Sequence, residues 1–172
     1  MAFTLSELRN AVQQIEEPQA WSNRANLLAD ERHRIEQFIE SGGQAYGFTT
    51  LFGHLDSIKR EREAIASLYQ GHLVGHPDRL DPVIARGIVA VKLCQLSNGG
   101  TGISLASYER LREAYASGLD DVRVDLSASY GSGDVVPGAW LVNSIFGGVE
   151  NLQRGDLMAL INGAYVPAGV LL

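Results

Sequence analysis

Tyr46 stands in the stretch QAYGFTTLFGHL (44–55), which carries two glycines and three aromatics and follows neither a helical nor a strand period. Such a segment reads as a structured loop, and a phenol displayed from it can hold or move a proton. Further on, His72 and His76 flank a turn in GHLVGHPDRL. Imidazole exchanges protons near neutral pH and can bond a ligand's hydroxyl, but two histidines at this spacing without a third ligand make a poor metal site, so no metal is expected. Gly131-Ser132-Gly133 places a hydroxyl between two flexible residues just ahead of an apolar pattern, and Asn162-Gly163 is a turn signal. From the residues alone, Ser132 also reads as a helix N-cap and Tyr46 as a packed tyrosine with a bonded hydroxyl.

The elements that must position these groups are mostly helical. Thr4 and Glu7 form a capping box ahead of Leu5, Leu8, Val12 and Ile15, giving a first helix that Pro18 stops. A second helix over 25–39 ends at Ser41-Gly42-Gly43, and Asp56 can cap a charged helix running to about Gln70. Asp81-Pro82 is a strong helix start. The run that follows, with Val83, Ile84, Ile88, Val89, Val91, Leu93, Cys94 and Leu96, is apolar on most of its circumference and must be buried until Asn98-Gly99-Gly100 ends it. Ser104 opens an amphipathic helix carrying Leu105, Tyr108, Leu111 and Tyr115, which Gly118 can close. Two apolar patterns, 135–146 and 152–161, complete the chain. No repeat, charge run or linker divides it, so residues 1–172 read as a single, mainly α domain.

Composition narrows the function classes. With 172 residues, 45% of them hydrophobic and 20% charged, the chain can build a real core and is not a disordered tail. Fourteen basic against twenty acidic residues leave a net charge of −6, which gives no field to attract phosphate backbones, so nucleic acid is not an expected partner. A single cysteine, Cys94, and a polar start where a signal peptide needs an apolar block point to a reducing, cytoplasmic setting. The longest uncharged stretch, 157–172, is too short for a membrane span and is interrupted by Asn162, Gly163, Pro167 and Gly169.

Five segments in order resemble the aromatic amino acid ammonia-lyase and aminomutase family, which includes histidine and phenylalanine ammonia-lyases. AYGFTTLFG (45–53) is similar to the family's Tyr-Gly-x-Asn-Thr-Gly-Phe-Gly loop. GHLVG (71–75) and KLCQLSNGGTG (92–102) follow, then YGSGDVVP (130–137), similar to the Gly-Ala-Ser-Gly-Asp-Leu-x-Pro signature, and ALING (159–163), similar to a Leu-Leu-Asn-Gly element. The resemblance covers essentially the whole chain but only the N-terminal part of a family member. It implies a truncated N-terminal portion of the ammonia-lyase helical fold with structured active-site loops.

The resemblance also implies a chemistry. In the family the signature tripeptide cyclises and dehydrates to a methylideneimidazolone (MIO), an electrophile made from the chain itself; here the residues would be Gly131, Ser132 and Gly133. Gly131 stands where the family has alanine, a change that ring closure through backbone atoms allows. Tyr46 matches the catalytic tyrosine, a base whose phenol must be more acidic than in water. His72 and Leu73 match a substrate-facing pair seen in tyrosine-directed members, and Asn162 matches an asparagine that contacts the ring system and substrate. The implied activity is deamination or isomerisation of an aromatic amino acid, with tyrosine preferred. The family's carboxylate-binding arginine has no equivalent here, so a homo-oligomer or a separately encoded C-terminal half is expected to supply it and to cover the apolar helix 83–96 and Val166, Val170, Leu171 and Leu172. The alternative is a non-lyase remnant that binds a small molecule or partner, or that uses Tyr46 and His72 for another proton transfer without the electrophile.

Overall fold

The computed structural model describes residues 6, 10, 18–50, 62–128 and 135–172. In chain order the elements are α1 (Pro18–Glu40), α2 (Arg62–His72), β1 (Asp78–Arg79), α3 (Pro82–Ser97), α4 (Leu105–Ser117), β2 (Arg123–Val124), α5 (Val135–Phe146), α6 (Asp156–Ile161) and α7 (Tyr165–Val170). The fold is mainly α, as expected. The first expected helix, with Thr4 and Glu7, and the expected cap Asp56 lie outside the described residues.

α3 forms where its local signals place it. Asp81 caps it by accepting from the Val83 amide at 2.8 Å, and Pro82 occupies the first turn, where a missing N–H costs nothing. Ala85, Ile88, Val89, Ala90, Leu93 and Leu96 are all buried, and so is Lys92. The expectation of burial fails at Val83, which is 78% exposed. That residue lies one turn ahead of the point where α7 crosses α3.

At the crossing Gly87 faces Gly169, and a Cβ on Gly169 would overlap the backbone of Ile88. Two helices approach this closely only where neither carries a side chain at the contact. The Pro167 and Gly169 that looked like breakers therefore sit in a helix that covers α3 from within the chain. This corrects the expectation that α3 needs a partner to cover it, and Val166 is buried too, while Val170 and Leu171 remain exposed.

The other elements pack around this pair. α4 starts at Ser104, whose hydroxyl accepts from the Ser107 amide at 3.2 Å, and ends at Gly118, whose φ of 111° favours glycine. β1 and β2 form a two-residue antiparallel ladder, Asp78 opposite Val124 and Arg79 opposite Arg123. α2 docks on α5, where the Tyr69 hydroxyl donates to Asn143 Oδ1 at 3.2 Å. Burial, with a smaller contribution from Glu150, pushes the Tyr69 phenol up to about 12. One hydrophobic cluster joins Leu28 of α1, Ile65 and Tyr69 of α2, and core residues from α3 to α7.

Candidate functional site

Tyr46 lies in a tight turn that its neighbours hold. The Phe48 and Thr49 amides donate to the Ala45 carbonyl at 3.0 and 2.9 Å, and the Ala45 amide donates to Thr49 Oγ1 at 3.0 Å. Gly47, with φ +72°, lies against the side chain of Met158 in α6 so closely that a Cβ there would overlap it. Phe48 is buried against Gly102 and Gly155, with the Arg32 guanidinium 5.1 Å from its ring centre. Phe48 thus anchors the turn and leaves Tyr46 51% exposed, a displayed ring rather than a core one.

His72 ends α2. Its Nδ1 is 2.6 Å from the Leu68 carbonyl oxygen, which can only accept, so Nδ1 carries a proton. Leu73 packs against the hydrophobic cluster. The loop beyond is tied down twice. The Trp140 indole N–H donates to the Val74 carbonyl at 2.8 Å, and the His76 amide donates to Asp125 Oδ2 at 2.7 Å.

Asp125 is the junction. Its Oδ1 accepts from the Ser127 amide, the Ser127 hydroxyl and the Ala128 amide at 2.8, 2.7 and 2.9 Å. The Ser127 hydroxyl above all, then the His76 and Ser127 amides, hold the carboxyl well below the usual carboxylate range, against the opposing effect of burial. Trp140 lies in the second turn of α5 and Asp125 just before residue 127, so the His72 loop is fastened on both sides of the signature. Gly131, Ser132 and Gly133 themselves lie outside the described residues.

Asn162 caps the C-terminus of α6 with extended backbone, its amide donating to the Met158 carbonyl at 3.2 Å. The preceding Ile161 abuts α5, because a Cβ on Gly138 would lie 2.9 Å from the Ile161 Cα. The structure therefore brings Asn162 close to the first turn of α5, and sets the Tyr46 turn against α6, the helix that Asn162 ends. Two grooves border the Tyr46 turn, one with Leu27, Ile35, Phe38 and Ala45, the other with Arg32, Ile39, Phe48 and Arg154, and neither is lined by Tyr46, His72 or Asn162.

Several supporting residues escaped the sequence reading. Asp156, fully buried, accepts from the Ser104 amide and hydroxyl, the Ser107 hydroxyl and the Gln153 amide at 2.8, 2.7, 2.7 and 2.9 Å. Glu31 accepts from the amides of Gly100 and Gly102 at 2.8 and 2.6 Å. Partners so distant in sequence leave no spacing to read. Among the described residues no three His, Cys, Asp or Glu side chains cluster as metal ligands, and no helix is long and apolar enough to cross a membrane.

A mainly helical fold with glycine-rich loops packed at helix ends defines the class, and comparison supplies the family. The family model for aromatic amino acid lyases matches residues 3–171, so the chain belongs to the aromatic amino acid lyase family. It is similar to histidine ammonia-lyase of Alkaliphilus oremlandii, 26% identical over 161 residues that cover 91% of this chain and 32% of the relative. Tyrosine aminomutase from Streptomyces globisporus shares the fold with a TM-score of 0.74 at 20% identity, over 97% of this chain and 36% of that one. Pantoea agglomerans phenylalanine aminomutase does so with a TM-score of 0.71 at 19% identity, over 99% and 38%. The chain thus spans about a third of the length of the relatives it matches.

Proposed function

We propose that this chain works in deaminating or isomerising an aromatic amino acid, tyrosine preferred, as one part of an oligomer or of a complex with a separately encoded segment. The observation that carries the proposal is the fastening of the His72 loop to both flanks of the signature, through Asp125 on one side and Trp140 on the other. A loop carrying His72 that is tied to described residues on either side of the signature supports a substrate-facing role for it, and Asn162 approaches the first turn of α5.

The flanks fit a ring at residues 131–133: Ala128 is pinned by Asp125 on the near side and α5 begins at Val135 on the far side, so both ends of the short span are fixed. Formed from Gly131, Ser132 and Gly133, the MIO would supply an electrophilic carbon for a substrate amine. The chain's own groups do the rest. Tyr46 takes the β-proton as general base. The His72 imidazole bonds a ring hydroxyl, which favours tyrosine over phenylalanine, and Leu73 packs beneath that end of the site. Asn162 contacts ring and substrate.

Intact-mass measurement of the full chain tests the core of the proposal. Loss of two waters, abolished in Ser132→Ala without loss of helical structure, is expected. An unmodified mass throughout the wild-type population overturns it.

A further inference from the structure

The side chain least expected in this core is Lys92, a lysine with no exposed surface in the middle of α3. A buried ammonium is costly unless its protons are placed on acceptors. Nζ donates to the Asn162 carbonyl at 2.7 Å and to Gln95 Oε1 at 3.0 Å, and lies 4.2 Å from the centre of the Tyr165 ring. Gln95, one turn along the same helix, meets the next residue of the turn: a Cβ on Gly163 would lie 2.6 Å from Gln95 Nε2. One helix face therefore grips the Asn162-Gly163 peptide from two directions, by a charged hydrogen bond on its carbonyl and by contact at the following Cα. Tyr165 closes over the ammonium from α7.

We propose that Lys92 is a positioning residue for Asn162. Asn162 ends α6 in extended conformation, and its carbonyl is one of the acceptors that a helix terminus leaves without an intrahelical donor. With that carbonyl held, the peptide plane after Asn162 cannot rotate, and the Cα–Cβ bond from which the amide projects keeps one direction. The ammonium donates, the carbonyl accepts, and the side-chain amide of Asn162 stays available for a ligand. The inference rests on the proposed role of Asn162, but the clamp itself is observable without turnover.

The test uses the full chain, whose 172 residues suit nuclear magnetic resonance. In the wild type, the Lys92 ammonium is expected to exchange slowly with water and to show a through-bond correlation to the Asn162 carbonyl carbon. Lys92→Met, which keeps the stem and removes the donors, is expected to move the Gly163 amide nitrogen resonance and broaden the Asn162 side-chain amide. Turnover should drop roughly 10- to 100-fold, the range for losing a charged hydrogen bond that fixes a reacting geometry, with a smaller change in KM. Leu93→Ala, a buried neighbour on α3, is the control: it lowers stability but leaves the Asn162 signals unmoved. An absent Lys92–Asn162 correlation, or Asn162 signals and turnover unchanged in Lys92→Met, overturns the clamp. A chain that shows the correlation but never loses two waters keeps the clamp and refutes the proposed chemistry instead.

Discussion

Replacing Asp156 by asparagine tests whether one buried carboxylate organises the loops behind the candidate site. The side chain is fully buried, and its two oxygens divide four donors: Oδ1 takes the Ser104 amide, while Oδ2 takes the Ser104 hydroxyl, the Ser107 hydroxyl and the Gln153 amide. An asparagine of the same shape keeps one oxygen. Its best orientation leaves that oxygen with the three donors and turns its NH2 toward the Ser104 N–H, which is then buried without an acceptor. The orphaned N–H costs roughly 1–3 kcal/mol, and the other bonds each lose about 1 kcal/mol with the charge. Relief from burying that charge, and loss of its attraction to Arg32 Nη1 at 3.7 Å, act in opposite directions. With the relief the larger of the two by about 1–3 kcal/mol, the net is about 3 kcal/mol, or roughly 6–12 °C in Tm for a chain of this size. Thermal melting followed by circular dichroism at neutral pH reads this directly, with Glu36→Gln as a comparison. The Arg32–Glu36 pair has a half-exposed carboxylate, so its loss should cost less than about 1 kcal/mol. A shift under about 2 °C for Asp156→Asn would refute the assignment of Asp156 as the organising acceptor.

Two further outcomes follow from the site. Because the folded-state pKa of Asp125 is depressed, its contribution to stability is complete above the ordinary carboxylate value of about 4 and is lost as pH falls below it toward the folded value; Asp125→Asn should therefore be less stable at neutral pH, with the gap in Tm shrinking between about pH 5 and pH 2.5, and a constant gap would count against the hydrogen-bonded carboxylate. Tyr46→Phe should lower turnover by about a hundredfold or more while the chain still loses two waters, since only the phenolic oxygen disappears from an exposed ring; full activity in steady-state assays would remove Tyr46 from the base role.

What could be read in advance depended on the range of the physics. The start of α3 at Asp81-Pro82 and the end of α4 at Gly118 were legible because caps act within a turn of the helix they bound. α7 was not, because Pro167 and Gly169 look like breakers until Gly87 is known to lie opposite. The two-residue ladder of β1 and β2 is too short to show a period. α1 starts at Pro18, earlier than the expected 25, since the first turn tolerates a proline. In the site, Tyr46, His72 and Asn162 were picked out by resemblance, and no spacing rule would have joined them. Lys92 and Asp156 were missed because a lone charged residue in an apolar segment ordinarily reads as exposed.

Charged side chains that bond to loop backbone share one task. A loop has no ladder or helix to satisfy its backbone groups, yet a site made of loops must not let them wander. Glu31 takes two amides of the 100–102 turn, Asp125 takes the amides of His76, Ser127 and Ala128, and Asp156 takes those of Ser104 and Gln153. Carboxylates suit this work because each oxygen accepts more than one N–H. Lys92 does the converse, placing a donor on a carbonyl at the end of α6. The division by sign follows from the backbone itself: loops and helix starts expose N–H groups and call for acceptors, and helix ends expose carbonyls and call for donors. Loops assembled at helix ends thus need side chains of both charge signs against their backbone, and the glycines that let the backbone reach them.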